Sequence, residues 1–132
     1  MKAILNRLKG GLMNMSQTFR KKGVLMVEKR LTSPLGYTGK LDLVCRLTDG
    51  QHHLIDYKTP AIESPTWKAQ CAAYCELAKS ELGANSTIKK LGSMALMLNK
   101  NGKAAKGIVY QYQADDFAAF LSALNCIRYF KK

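Results

Sequence analysis

Apolar residues recur along this chain at two spacings, and the switches between them mark its elements. Ile4, Leu5, Leu8, Leu12, Met15 and Phe19 fall at helical intervals with Lys and Arg between them. This predicts a helix over residues ~2–21, weakened centrally by Gly10 and Gly11. Beyond Gly23 the pattern shortens. The runs VLMVEKRL (24–31), YTGKLDLVCRL (37–47) and HHLIDYK (52–58) read as strands. Turn residues separate them, SPLG at 33–36 and Thr48-Asp49-Gly50, and the second turn is short enough to make strands two and three a hairpin. Trp67, Cys71, Tyr74, Leu77 and Ala78 then return to helical spacing, with Ser64 placed to cap, Pro65 at the first helical position and Gly83 just past the end near Leu82. GSMALMLN (92–99) and GIVYQYQ (107–113) form a second hairpin around Lys100-Asn101-Gly102-Lys103, and residues 114–131 form a last helix. Asp115 and Asp116 stand at that helix's positive end, with Arg128, Lys131 and Lys132 at its negative end. Without a repeat or linker, residues 1–132 read as a single α+β domain of order α-β-β-β-α-β-β-α.

Composition changes this picture in one respect. Apolar residues make up 47% and charged residues 23%, which excludes a disordered chain or a fibre. Lys and Arg, however, total 21 against 9 Asp and Glu, for a formal charge of +12. Such an excess repels itself in a compact chain and calls for a polyanionic partner, nucleic acid ahead of an acidic membrane surface. Arg7 and Lys9 interrupt any leader-like apolar stretch, and no run approaches the roughly 18 residues a membrane span needs. The expectation is an intracellular protein with reduced thiols. Cys71 and Cys75 share a helical face but lack two further ligands nearby, so they read as buried free cysteines rather than a metal or cluster site.

The chemistry concentrates in residues 39–59. Asp56 and Lys58 are two apart on strand three, so both project from one face about 7 Å apart while Tyr57 points away. On strand two Asp42 alternates with Leu41 and Leu43, which are expected on the core face, and the hairpin brings Asp42 beside Asp56. Two adjacent carboxylates repel unless a proton or a cation lies between them. Mg²⁺ or Mn²⁺ suits the pair, with Lys58 beside it to orient or deprotonate a water or to stabilise charge on a phosphorane. The alternative is a cross-strand salt bridge on a solvated face.

The sequence G-x-L-D-L-V at 39–44, L-I-D-Y-K-T at 54–59, and a helix carrying Q-x-x-x-Y at Gln70 and Tyr74 resembles the RecB-type nucleases. These belong to the PD-(D/E)XK superfamily, with the lambda-type exonucleases and the mitochondrial single-strand exonucleases. The resemblance implies a restriction-endonuclease-like core of order α-β-β-β-α-β, here with an extra strand and a C-terminal helix. It implies Asp42 and Asp56 as metal ligands, the Tyr57 backbone carbonyl as a further ligand and Lys58 as the catalytic lysine. Gln70 and Tyr74 would flank the site and hold the DNA strand or the motif loop. Thr59 lies close by, and Trp67 either stacks on a base or packs in the core. Lys40, Lys68 and Arg30, with Lys21 and Lys22, are the candidate phosphate contacts near the motifs.

The chain departs from that pattern in three ways. No histidine precedes strand two, so Glu28 on strand one is the best substitute for an upstream metal ligand, its alternative being a surface residue paired with Lys29 or a neighbouring strand. His52 lies some 13 Å along the strand from Asp56, and His53 faces the other way. The N-terminal region is short, and the cysteines do not follow the arrangement of the iron–sulphur members, so no cluster is expected. The function expected is a Mg²⁺- or Mn²⁺-dependent DNA exonuclease on single strands or frayed ends, with a role in phage or bacterial recombination or replication and a protein partner from that machinery. Two other readings stay open: an endonuclease or junction resolvase on the same core, and a nucleic-acid-binding module without catalysis.

Overall fold

The computed structural model describes residues 21–59, 62–83, 90–98 and 104–131. The helix expected over residues ~2–21 and the turn expected at 100–103 lie outside them. Five strands form one sheet in the order β1-β2-β3-β4-β5: β1 (Lys21–Thr32), β2 (Thr38–Leu47), β3 (His52–Lys58), β4 (Leu91–Met97) and β5 (Lys106–Tyr110). Every neighbouring pair is antiparallel except β3 and β4, which run parallel from His52↔Leu91 to Lys58↔Met97. A parallel pair needs a crossover, and helix α1 (Thr66–Leu82) supplies it. Helix α2 (Gln113–Phe130) follows β5 and packs on α1, with Phe120 edge-on to Tyr37 at 4.8 Å between centroids.

The turns form for the reasons their residues suggest. Between β2 and β3 the Asp49 carboxylate accepts from the Gln51 N–H at 2.8 Å, and Gly50 takes a φ of 83° that a side chain would resist. Several boundaries differ from expectation. Pro65, not Ser64, holds the cap position of α1. Ser64 still serves the helix start, its hydroxyl accepting from the Thr66 N–H at 3.3 Å and its carbonyl from Trp67 at 3.1 Å. The fifth strand stops at Tyr110 because α2 begins at Gln113, where the Asp116 N–H bonds back to the Tyr112 carbonyl. The first strand begins at Lys21, ahead of Gly23.

Both faces of the sheet carry buried apolar clusters. The face under α1 holds Met26, Leu31, Tyr37, Leu41, Val44, Leu54 and Leu91 with Cys71, Cys75 and Leu77 of the helix. The opposite face holds Leu43, Cys45, Leu47, Ile55, Met94 and Leu96, with Tyr57 against them. Leu41, Leu54, Ile55 and Leu96 are fully buried, each stabilising the fold by roughly 1.5–3 kcal/mol.

Leu41 and Leu43 therefore do not share a face, as strict alternation requires. Leu41 and Val44, three apart, both lie under the helix, and Leu43 lies opposite. On β1, Met26 and Leu31 lie under the helix, and the Lys29 ammonium meets Glu81 of α1 at 2.8 Å. Val27 pairs with Leu43 and Lys29 with Leu41, so the register runs unbroken across the slip. The slip falls on the facing residues Glu28 and Asp42, and Glu28 has a φ of 46°, the left-handed region that a residue with a side chain enters at a cost. Asp42 sits where β2 turns over.

Candidate active site

The ladder between β2 and β3 is paired from Arg46↔His52 to Leu43↔Ile55, and Asp42 stands one step beyond. Its side chain takes the place of the next main-chain acceptor: Asp42 Oδ2 accepts from the Tyr57 N–H at 2.9 Å. A residue's N–H and C=O point to the same strand edge. The Tyr57 carbonyl therefore faces the gap beside Asp42, whereas the Lys58 carbonyl, on the other edge, accepts from the Leu98 N–H at 2.8 Å. The slip in β2 thus aims a carboxylate laterally at the end of β3.

Asp56 and Lys58 share a face as their spacing predicts, and Lys58 folds back on its neighbour, with Nζ 2.8 Å from Asp56 Oδ2 and both side chains largely buried. Lys58 Nζ also donates to Gln70 Oε1 of α1, and Gln70 Nε2 donates to the Tyr74 hydroxyl at 3.1 Å. The indole of Trp67 lies 5.6 Å from Nζ. Trp67 is 5% exposed, so of its two alternatives the structure takes the buried one, beneath the lysine rather than open to a base. The array Asp42–Asp56–Lys58–Gln70–Tyr74 is continuous.

The electrostatics follow from crowding. Burial, then the hydrogen-bonded carboxyl of Asp56, raise Asp42 from 3.8 to about 7, while the Tyr57 N–H and Lys58 act against them. Two carboxylates that must share a proton fit a hard divalent cation, which accepts one or two carboxylates and completes its shell with carbonyl, water and phosphate oxygens. Among the described residues no group of three or more His, Cys, Asp or Glu side chains could hold a metal, and the Tyr57 carbonyl is a main-chain oxygen facing the gap beside Asp42 that could join the two carboxylates on one.

The raised Asp42 has a consequence for stability. Between about pH 4 and 7 the folded protein binds more protons than the unfolded chain, so the metal-free protein should lose stability as pH rises through that window. Mg²⁺ should raise Tm more at pH 8, where the carboxylates need no proton displaced, than at pH 5. Thermal scans with EDTA or Mg²⁺ at both pH values check this; an equal Mg²⁺ effect at both would remove the shared-proton account.

Other residues lie around the array. Glu28 faces Asp42 across the strands, and its charge acts on the Tyr57 hydroxyl, which lies with the cluster opposite the helix. Lys40 and Arg30 pair across β1 and β2 and alternate with Leu41 and Lys29, so they point away from α1. Thr59 and Lys68 are exposed beside the array. His52 is half-buried, and His53 is buried with no hydrogen-bond partner for Nδ1 among the described residues.

Three residues beside the site were not anticipated as members of it. Cys71 Sγ lies 4.0 Å from Asp56 Oδ2, and burial together with that carboxylate pushes its thiol well up, keeping it protonated. The Tyr110 hydroxyl donates to Glu63 Oε2 at 2.9 Å, and burial, Glu63, Cys71 and Asp56 all raise its pKa. The helical phase of Cys71 with Trp67 could have placed it inward. Nothing in local sequence joins Tyr110 to Glu63.

A mixed sheet thus gathers two carboxylates and a lysine at the ends of adjacent strands, braced by a helix. The family model for the PD-(D/E)XK nuclease superfamily matches residues 10–128, and the chain belongs to that superfamily. Its fold is accordingly restriction-endonuclease-like, and its family is one of nucleases that act on nucleic acid. No curated protein sequence matches the chain. No helix among the described residues is long and apolar enough to cross a membrane.

Proposed function

We propose that the chain is a Mg²⁺- or Mn²⁺-dependent deoxyribonuclease of the RecB type, an exonuclease that hydrolyses phosphodiester bonds at single-stranded or frayed DNA ends. The observation that carries this reading is the unbroken array from Asp42 through Asp56 and Lys58 to Gln70 and Tyr74. Asp42, Asp56 and the Tyr57 carbonyl would hold the metal, which when bound would polarise a phosphoryl oxygen and acidify a coordinated water. The protein supplies the rest. Asp56 and Gln70 anchor the Lys58 ammonium from two sides, which leaves its third proton for the attacking water or for a phosphoryl oxygen as negative charge builds. Trp67 closes the floor under that ammonium and excludes water, which strengthens each of these contacts. The surplus of 21 basic over 9 acidic residues, with Lys68 exposed on α1, suits a phosphate backbone, while Lys40 and Arg30 lie on the face of the sheet away from the array.

The test is a digestion with Mg²⁺ of end-labelled linear single-stranded, linear duplex and circular single-stranded DNA. The linear single strand should be degraded, the duplex only from frayed ends, and the circle left intact. Cutting of the circle would replace the exonuclease with an endonuclease, and binding of all three without cleavage would leave a non-catalytic module.

A further inference from the structure

Gly39 lies in β2 on the face covered by α1, three residues before Asp42. Its backbone is not in the left-handed region, where glycines 36, 50 and 83 are found, so an L-residue could adopt it. The constraint is spatial. A β-carbon at Gly39 would lie 2.6 Å from Tyr74 Cε1 and 2.9 Å from both Tyr74 Cδ1 and Leu77 Cδ1. The obstacle is the side of an aromatic ring, which cannot fold out of the way like the end of a flexible chain.

That ring is tied to the site. The Tyr74 hydroxyl takes the NH₂ end of the Gln70 amide at 3.1 Å, so the amide oxygen is the end presented to Lys58 Nζ. Turning the amide over would set an NH₂ against an ammonium. We infer that Gly39 is a positioning residue for Lys58: the missing side chain seats the Tyr74 ring, the ring's hydroxyl orients Gln70, and Gln70 holds the lysine against Asp56. The inference rests on the nuclease reading for the lysine's role, but the positioning itself can be read without activity.

The experiment compares Gly39→Ala, Tyr74→Leu and the double variant. It uses kcat and KM on linear single-stranded DNA, Ca²⁺ affinity by calorimetry, and the rate at which acetic anhydride labels Lys58, read by mass spectrometry. Gly39→Ala should lower kcat about 10- to 100-fold, the scale of a displaced catalytic group, with KM and Ca²⁺ affinity nearly unchanged. Labelling of Lys58 should quicken. In the Tyr74→Leu background, where the ring is gone and the movable end of Leu77 is the remaining close contact, Gly39→Ala should change kcat and labelling far less than in wild type. Wild-type kcat and labelling in Gly39→Ala with only a lower Tm would overturn the inference, as would the same loss on top of Tyr74→Leu. If Gly39→Ala alone does not fold, a folded double variant supports the collision with the ring, and an unfolded one refutes it. If the wild-type protein cleaves no DNA, the nuclease reading fails, and the labelling rates still decide whether Gly39 positions the lysine.

Discussion

Replacing Asp56 with Asn should abolish cleavage while leaving a folded protein. The amide keeps the shape of a side chain that is only 5% exposed. It loses the charge that anchors Lys58 at 2.8 Å, but it also removes the repulsion that raises Asp42, so two opposing effects act on stability. Function has no such compensation. One neutral oxygen binds Mg²⁺ far more weakly than a carboxylate, and a water held by it is less acidic. Cleavage of single-stranded DNA should fall by several orders of magnitude, each factor of ten being about 1.4 kcal/mol of barrier. DNA binding in Ca²⁺-free buffer, measured by fluorescence anisotropy, should persist or improve, because a negative charge facing the phosphates is gone. Digestion at the wild-type rate would sink both the metal site and the role given to Asp56; loss of folding would favour a purely structural salt bridge.

Lys58→Ala should separate the lysine from the carboxylates. It removes the cation that opposes the rise in Asp42, so the metal-free variant should be less stable than wild type at neutral pH and should be stabilised more by added Mg²⁺. Calorimetry should show Mg²⁺ or Mn²⁺ binding retained, since no ligand has been lost, while turnover falls at least 10²-fold with the loss of a charge aimed at the transition state. Retained turnover in Lys58→Ala would leave Gln70 and Trp67 bracing a group without a catalytic role.

Much of this site was legible because local rules reach it. The element order followed from alternation and from turn residues such as Asp49 and Gly50, and the shared face of Asp56 and Lys58 followed from a spacing of two on a strand. Gln70 and Tyr74 at a spacing of four shared a helical face for the same reason. The lateral aim of Asp42 was not legible, because it comes from a slip on two strands at once. That slip passes through a left-handed Glu28, a residue type with no preference for that conformation. Alternation alone put Leu41 and Leu43 together, and tertiary packing on both faces of the sheet separated them. Trp67 carried two readings because an indole suits both a base and a core; only the placement of Lys58 above it decided. The bond between Tyr110 and Glu63 joins residues 47 apart and has no local signature.

Glu28 and Asp42 together amount to one additional rung in the β1–β2 ribbon. Val27 and Leu43 below the rung, and Lys29 and Leu41 above it, already point as they would if the rung were missing. Excising both residues would leave the ribbon alternating regularly from Met26 to Thr32 with the same inside and outside, shorter by about 3.4 Å, its acid gone and the shift between Val24 and Met26 untouched. Excising either one alone would throw the remainder of that strand out of phase with its partner and turn Leu31 or Leu41 toward the wrong side. The acid thus occupies a rung that the division between core and solvent does not need, so a matched pair of deletions would remove it without redesigning that barrier.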